Sequence, residues 1–219
     1  MIWRDEEDDT RPLTSSQVAD VVFVVQGKTL PYVYEEAVFH ALRTPLPWIQ
    51  DHTDIGIRVY FSAEEGNGWY RDDNPNGVIY LSRRTRLVLR VPTALVEQTA
   101  TLCGYTLMIA EHALQIGDMK LRPLNANDTL YARNIVSTSE DEAVFEQMIV
   151  TAVAALGVQC RKLVCGKQRQ IKTDQGALTT RSIMLADLKP NESIALQEQG
   201  IGTHRALGCG IFIPHKGIT

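Results

Sequence analysis

The sequence predicts an α+β protein in which the order β-α-β-β-α-β occurs twice. Three observations predict it. Short β-branched apolar runs at residues 18–25, 55–61, 85–91, 129–136, 158–164 and 178–185 have the length and composition of strands. Segments with helical spacing of apolar residues fall between them, and glycine or proline separates most of the elements. The pattern restarts beyond residue 124, and 219 residues divide into two units of about 100 residues, an ordinary size for a small domain.

The first strand, residues 18–25, ends at Gln26-Gly27-Lys28. A helix is expected from near Tyr34, with Val38, Ala41 and Leu42 as its apolar stripe and Glu36, His40 and Arg43 on the polar side. Pro45 and Pro47 end or kink it. A strand over 55–61 follows, then the turn-rich Glu65-Gly66-Asn67-Gly68-Trp69, the apolar stretch 78–81 and a strand over 85–91. Pro92 opens a short helix through Leu102, and residues 106–121 form a hairpin turning at 111–113 or at Gly117-Asp118. The second unit begins with a strand over 129–136. Ser137, Thr138 and Ser139 are candidate N-caps, and Glu142 completes a capping box with Ser139. The long helix behind them carries Val144, Met148, Val153 and Leu156 and stops at Gly157. Strands over 158–164 and 178–185 flank a polar hairpin tip at 166–176. A helix over 190–199 and a last strand over 211–213 close the chain. Two such units in tandem, divided at residue 124, are the ferredoxin-like arrangement, shared by RRM-like RNA-recognition modules and by many unrelated regulatory domains.

The composition, 44% hydrophobic and 22% charged, is that of a globular chain, and no apolar run approaches the length needed to cross a bilayer. The acidic start, residues 1–10, does not resemble a secretory signal, so a cytoplasmic protein is expected. Cys103, Cys160, Cys165 and Cys209 match no zinc spacing and are expected as free thiols. The formal charge of -4 owes much to Asp5, Glu6, Glu7, Asp8 and Asp9, without which it becomes +1. Two stretches are purely basic in their charged residues: Arg83, Arg84, Arg86 and Arg90, and Arg161, Lys162, Lys167, Arg169 and Lys172. Such local charge suits a phosphate backbone, and a solvated strand face would look the same.

The sharpest motif is Gly200-Ile201-Gly202-Thr203-His204-Arg205-Ala206-Leu207-Gly208-Cys209-Gly210-Ile211-Phe212. Glycines let backbone amides approach an anion, and His204 and Arg205 would add charge to the same phosphates. The loop follows a helix and precedes a strand, the reverse of a dinucleotide fingerprint, and it lacks the Gly-Lys-Ser/Thr of a Walker loop.

Gly-φ-Gly, five residues, then Gly-x-Gly-φ-Phe resembles the glycine-rich signature of the Cas-six endoribonucleases, which process CRISPR repeat transcripts. Leu46-Pro47-Trp48, Gly66-Asn67-Gly68-Trp69-Tyr70, Leu81-Ser82-Arg83-Arg84-Thr85-Arg86, Cys160-Arg161-Lys162-Leu163 and the closing Phe212-Ile213-Pro214-His215-Lys216-Gly217-Ile218 are similar to the variety found in type I-MYXAN systems. The resemblance covers nearly the whole chain. It implies binding of CRISPR repeat RNA, as precursor and as mature guide RNA. It implies cleavage at the 3′ base of a repeat hairpin by the RNA's own 2′-hydroxyl, leaving a 2′,3′-cyclic phosphate and a 5′-hydroxyl. No metal or other cofactor is expected, and other subunits of a type I surveillance complex are expected partners. A subunit that binds the repeat without cutting it is the alternative.

That chemistry needs a base, an acid and cations, and histidine suits the proton transfers. The resemblance implies a catalytic histidine on or just after the first helix, which leaves His40 and His52 as candidates. Tyr34 stands where similar chains often carry histidine at the helix start; it or Tyr32 would orient a phosphate or the 2′-hydroxyl. Gly200, Gly202, His204, Arg205, Gly208 and Gly210 are expected phosphate contacts, joined by Arg83, Arg84 and Arg86 and by Arg161, Lys162, Lys167, Arg169 and Lys172. His112 is expected at a hairpin turn and His215 in C-terminal packing.

Overall fold

A computed structural model describes residues 16–61 and 77–215. The turn-rich segment expected at 65–69 and the acidic residues 5–9 lie outside the described residues. In the N-terminal half, strand β1 (Val18–Gln26), the short β2 (Thr29–Pro31), helix α1 (Glu35–Leu42), β3 (Gly56–Tyr60), β4 (Val78–Tyr80), β5 (Arg86–Pro92), the four-residue helix α2 (Val96–Thr99), β6 (Thr106–Ile109) and β7 (His112–Pro123) follow one another. Five of the strands make an antiparallel sheet in the order β3-β5-β1-β7-β6, and β2 pairs with β4. The sheet forms because β1 alternates. Val21, Phe23 and Val25 turn to a core that also takes Val38 and Leu42 of α1, while Asp20 and Val22 line the opposite face. Pro47 does not simply end the helix; it opens a 3₁₀ turn, Pro47–Asp51, that buries Ile49. The hairpin between β6 and β7 turns at Ala110 and Glu111, with Ala110 at φ 52, and Gly117 lies inside β7.

The C-terminal half contains β8 (Leu130–Val136), α3 (Glu142–Ala155), β9 (Lys162–Thr173), β10 (Gly176–Ala186), α4 (Pro190–Gln199) and β11 (Phe212–Pro214), with sheet order β11-β8-β10-β9. Both halves are thus ferredoxin-like, the first enlarged by β6 and by the β2-β4 ribbon. Three local expectations are corrected. Asp141, not Ser139, caps α3, its carboxylate accepting the amides of Ala143 and Val144 at 2.8 and 3.2 Å. The buried stripe of α3 is Phe145, Ile149 and Val153, whereas Val144 is 53% exposed. The segment 166–173 is not a loose tip but the outer part of β9, paired with β10 out to Thr173 opposite Gly176.

The halves are joined by a buried arginine. Arg90 of β5 donates to Asp20 of β1 at 2.7 and 3.0 Å, and its Nη1 also donates to the carbonyls of Gln197 and Phe212, at 3.0 and 2.6 Å, in the other half. Arg90 belongs to the basic stretch expected on a phosphate backbone or a solvated strand face; burial between the sheets and a full set of acceptors make it a strut instead.

Candidate active site

The segment 200–210 closes on itself. Ile201 donates its amide to the Gly210 carbonyl, and Gly210 donates its own to Asn134 of β8. A β-carbon at Gly200 would collide with the Gly210 carbonyl, and one at Gly210 with the Ile201 carbonyl; both residues also have positive φ, 65 and 70. At Gly208, φ 78, a β-carbon would come within 3.2 Å of the Ile57 carbonyl of β3. These three glycines serve close packing. Their amides are committed within the protein, Gly200 to Leu196, Gly208 to Arg205 and Gly210 to Asn134, which corrects the expectation that they hold phosphate. Gly202 differs: it has φ 78, and a β-carbon there would meet nothing.

Gly202, Thr203 and His204 are consecutive exposed residues, and their amides make no hydrogen bond to any described residue. His204 itself has φ 64, so positive φ falls at both ends of this exposed row of donors. The Thr203 hydroxyl lies 2.7 Å from His204 Nδ1. Thr203 carries no charge and belongs to no motif of its own, so nothing in the sequence singles it out.

Residues Arg205–Leu207 form a 3₁₀ turn that packs against both α1 and β3 of the N-terminal half. Ala206 joins that half's core. Cys209 is buried, and its thiol is pushed up to about 12 by burial and then by the nearby charge of Glu35 on α1. His40 stands on the exposed side of α1, one turn from Glu36, and Glu36, His40 and Asp174 bring their ligand atoms within 4.8 Å of one another. Glu36 also accepts the amide of Asp174 at 2.7 Å, so the tip of the β9-β10 hairpin rests on the helix that carries His40. His52 follows the Pro47–Asp51 turn, edge-on to Trp48 at 5.9 Å, with Nδ1 3.6 Å from Asp54. Asp54 lies in electrostatic reach of Arg205. Both candidate histidines therefore sit on segments that adjoin the glycine-rich loop.

Several expected contacts are placed elsewhere. Tyr34 precedes α1, but its ring is buried and packs edge-on against Phe61 at 5.5 Å. Arg205 points inward: Nη1 donates to the Gln199 carbonyl and Nη2 to that of Glu198 at 3.1 Å, so it closes the end of α4. Burial, and then the neighbouring Arg90 charge, lower its pKa to about 10. Arg161 pairs bidentately with Glu192 at 2.7 and 3.1 Å, and Lys162 pairs with Asp187 at 3.0 Å. Lys167, Arg169 and Lys172 remain exposed along the hairpin. Arg84 and Arg86 line a groove of about 410 Å³ with Arg58, Arg122 and Tyr60. It lies on the face of the five-stranded sheet away from α1, so these arginines are not brought to His40; Arg83 is exposed beside them.

Fold and loop together define a class: tandem ferredoxin-like halves in which a C-terminal glycine-rich turn is seated on the first helix of the N-terminal half. The family model described as Cas6 Crispr matches residues 19–217, and the chain belongs to the Cas6 family. It is 32% identical over 196 residues to the CRISPR-associated endonuclease Cas6 of Myxococcus xanthus, covering 89% of this chain and 80% of that one. Among solved structures it is similar in fold to a CRISPR-associated protein Cas6, with TM-score 0.60 and 12% identity over 91% of this chain and all of that one. A Cas6-related protein from Pyrococcus furiosus gives TM-score 0.53 at 11% identity over 90% and 98% of the two chains. The CRISPR endoribonuclease Cse3 bound to a 19 nt RNA gives 0.53 at 10% identity over 91% and 98%. Among the described residues no helix is long and apolar enough to cross a membrane.

Proposed function

We propose that this chain is a metal-independent endoribonuclease that binds CRISPR repeat RNA and cuts the precursor transcript into guide RNA. The 2′-hydroxyl beside the scissile phosphate attacks it, giving a 2′,3′-cyclic phosphate and a 5′-hydroxyl. The observation that carries the reading is the meeting of two parts: the open amides of 202–204 lie on the loop that packs on α1, which bears His40, and on β3, which follows the segment bearing His52. Amides aimed at the phosphate stabilise charge that grows in the transition state. An imidazole from the N-terminal half removes the 2′ proton, and His40, on the exposed face of α1 beside Glu36, is our first assignment, with His52 beside Asp54 the second. Lys167, Arg169 and Lys172 hold the RNA backbone along the hairpin whose tip reaches α1. The endonuclease name of the Myxococcus xanthus relative and the RNA held by Cse3 favour the same substrate class. We further propose that residues 1–124 and 125–219 are the two folding units, and that the product stays bound as the chain joins a surveillance complex in the cytoplasm.

The test is single-turnover cleavage of an RNA oligonucleotide of the CRISPR repeat from the same genome, in EDTA. Cleavage to a cyclic phosphate end is expected. Alanine at His40 or at His52 should lower the rate by roughly 10²–10⁴-fold in one case only, with RNA binding retained. Tight binding without cutting at any pH would instead identify a subunit that only holds the repeat.

A further inference from the structure

We propose that His204 is the proton donor to the leaving 5′-oxygen, with Thr203 as its positioning residue; this rests on the endoribonuclease reading above. Four features of one edge point there. His204 is exposed and stands beside Gly202, whose missing side chain leaves room for a ligand. Its amide is the last of the three open donors, so a phosphate on that row lies next to its ring. Its backbone has φ 64, a conformation uncommon outside glycine and one that tends to be kept where function needs a side chain in a fixed direction. The Thr203 hydroxyl, 2.7 Å from Nδ1, can accept the proton of that nitrogen, which makes Nε2 the nitrogen that gives its proton to the leaving oxygen. Arg205, the next residue, cannot fill the role, because its guanidinium is turned to the carbonyls at the end of α4.

The step balances as follows. The 2′-oxygen forms a bond to phosphorus as its proton passes to the imidazole of the N-terminal half. The phosphorus–O5′ bond breaks, and its electron pair takes the proton from His204 Nε2. The two imidazoles end with their protonation exchanged, and water restores them.

The experiment compares normal repeat RNA with the same RNA carrying a bridging 5′-sulfur at the scissile position, since a thiolate leaves without being protonated. His204→Ala is expected to slow cleavage of normal RNA by roughly 10²–10⁴-fold and to leave cleavage of the thio substrate at the wild-type rate. His204→Asn, which tolerates the left-handed backbone and cannot donate as an acid, should behave the same while keeping the fold and RNA affinity. His204→Arg should fail to rescue, because a guanidinium puts charge on the phosphate but does not give up a proton. Thr203→Val should lower kcat on normal RNA with RNA affinity unchanged and leave the thio substrate at the wild-type rate. Equal losses on both substrates, or rescue by arginine, would overturn the assignment and return His204 to a phosphate contact. A wild-type protein that leaves both RNAs intact would overturn the nuclease reading and this assignment with it.

Discussion

At Gly200 a β-carbon would strike the Gly210 carbonyl, whereas at Gly202 it would meet nothing, although both residues have positive φ. The two positions should respond differently to alanine. Gly200→Ala adds a steric clash to the left-handed penalty and should destabilise the fold by about 3–5 kcal/mol, seen as a lowered midpoint in urea. Gly202→Ala carries only the backbone penalty, about 1–2 kcal/mol, yet it places a methyl at the open edge and should lower cleavage far more than its stability loss explains. The sequence announced four glycines at fixed spacing but could not sort them. The sorting depends on Asn134 and Ile57, which reach the loop through the tertiary fold. Thr203 was invisible for a similar reason, since only the turn of the chain at His204 brings its hydroxyl to the ring.

The β9-β10 hairpin is the element where pattern and structure part most. Residues 166–173, Gly-Lys-Gln-Arg-Gln-Ile-Lys-Thr, lack the alternation that marks a strand, because neighbouring β10, not a buried face, supplies the pairing. By contrast β1, β3, β5 and β8 were legible, since each sends alternate apolar residues into a core. Replacing Lys167, Arg169 and Lys172 together by alanine should leave the fold intact and lower the salt slope of RNA binding by about two to three, as measured by affinity across a salt series. The base of the hairpin answers to pH instead. Arg161 holds the Glu192 carboxyl down to about 2 through its hydrogen bonds, helped by the amides of Lys189 and Gln159 and opposed by burial. A depressed carboxyl stabilises the fold above its ordinary value of 4.5, and that contribution fades as pH falls from there towards 2. Arg161→Ala should therefore flatten the acid limb of the stability curve between those limits.

For the whole molecule, Arg90 and Asp20 decide how the loop meets α1. The arginine ties β1 and β5 of one half to the end of α4 and to β11 of the other, the two elements that bracket the glycine-rich loop. Burial would raise the Asp20 carboxyl, but the hydrogen bonds and charges of Arg90 and Arg58 outweigh it and hold it below 3.8. Its contribution is thus complete above that pH and is lost as pH falls below it. Removing the arginine alone leaves the buried Asp20 carboxylate with only Arg58, at 3.2 Å, and leaves two carbonyls without their donor. Arg90→Met should cost about 3–5 kcal/mol, while Asp20→Leu with Arg90→Met should recover part of that loss, because it removes the buried Asp20 carboxylate as well and leaves only the partly exposed Arg58 without its partner. The recovered double variant separates stability from geometry. It still lacks the donor that fixes Gln197 and Phe212, so the ends of the loop are freer to shift relative to α1. Its urea midpoint should lie between those of Arg90→Met and the wild type, and its RNA salt slope should be unchanged. Cleavage should remain slower by roughly a hundredfold, as expected when reacting groups are displaced by about 1 Å.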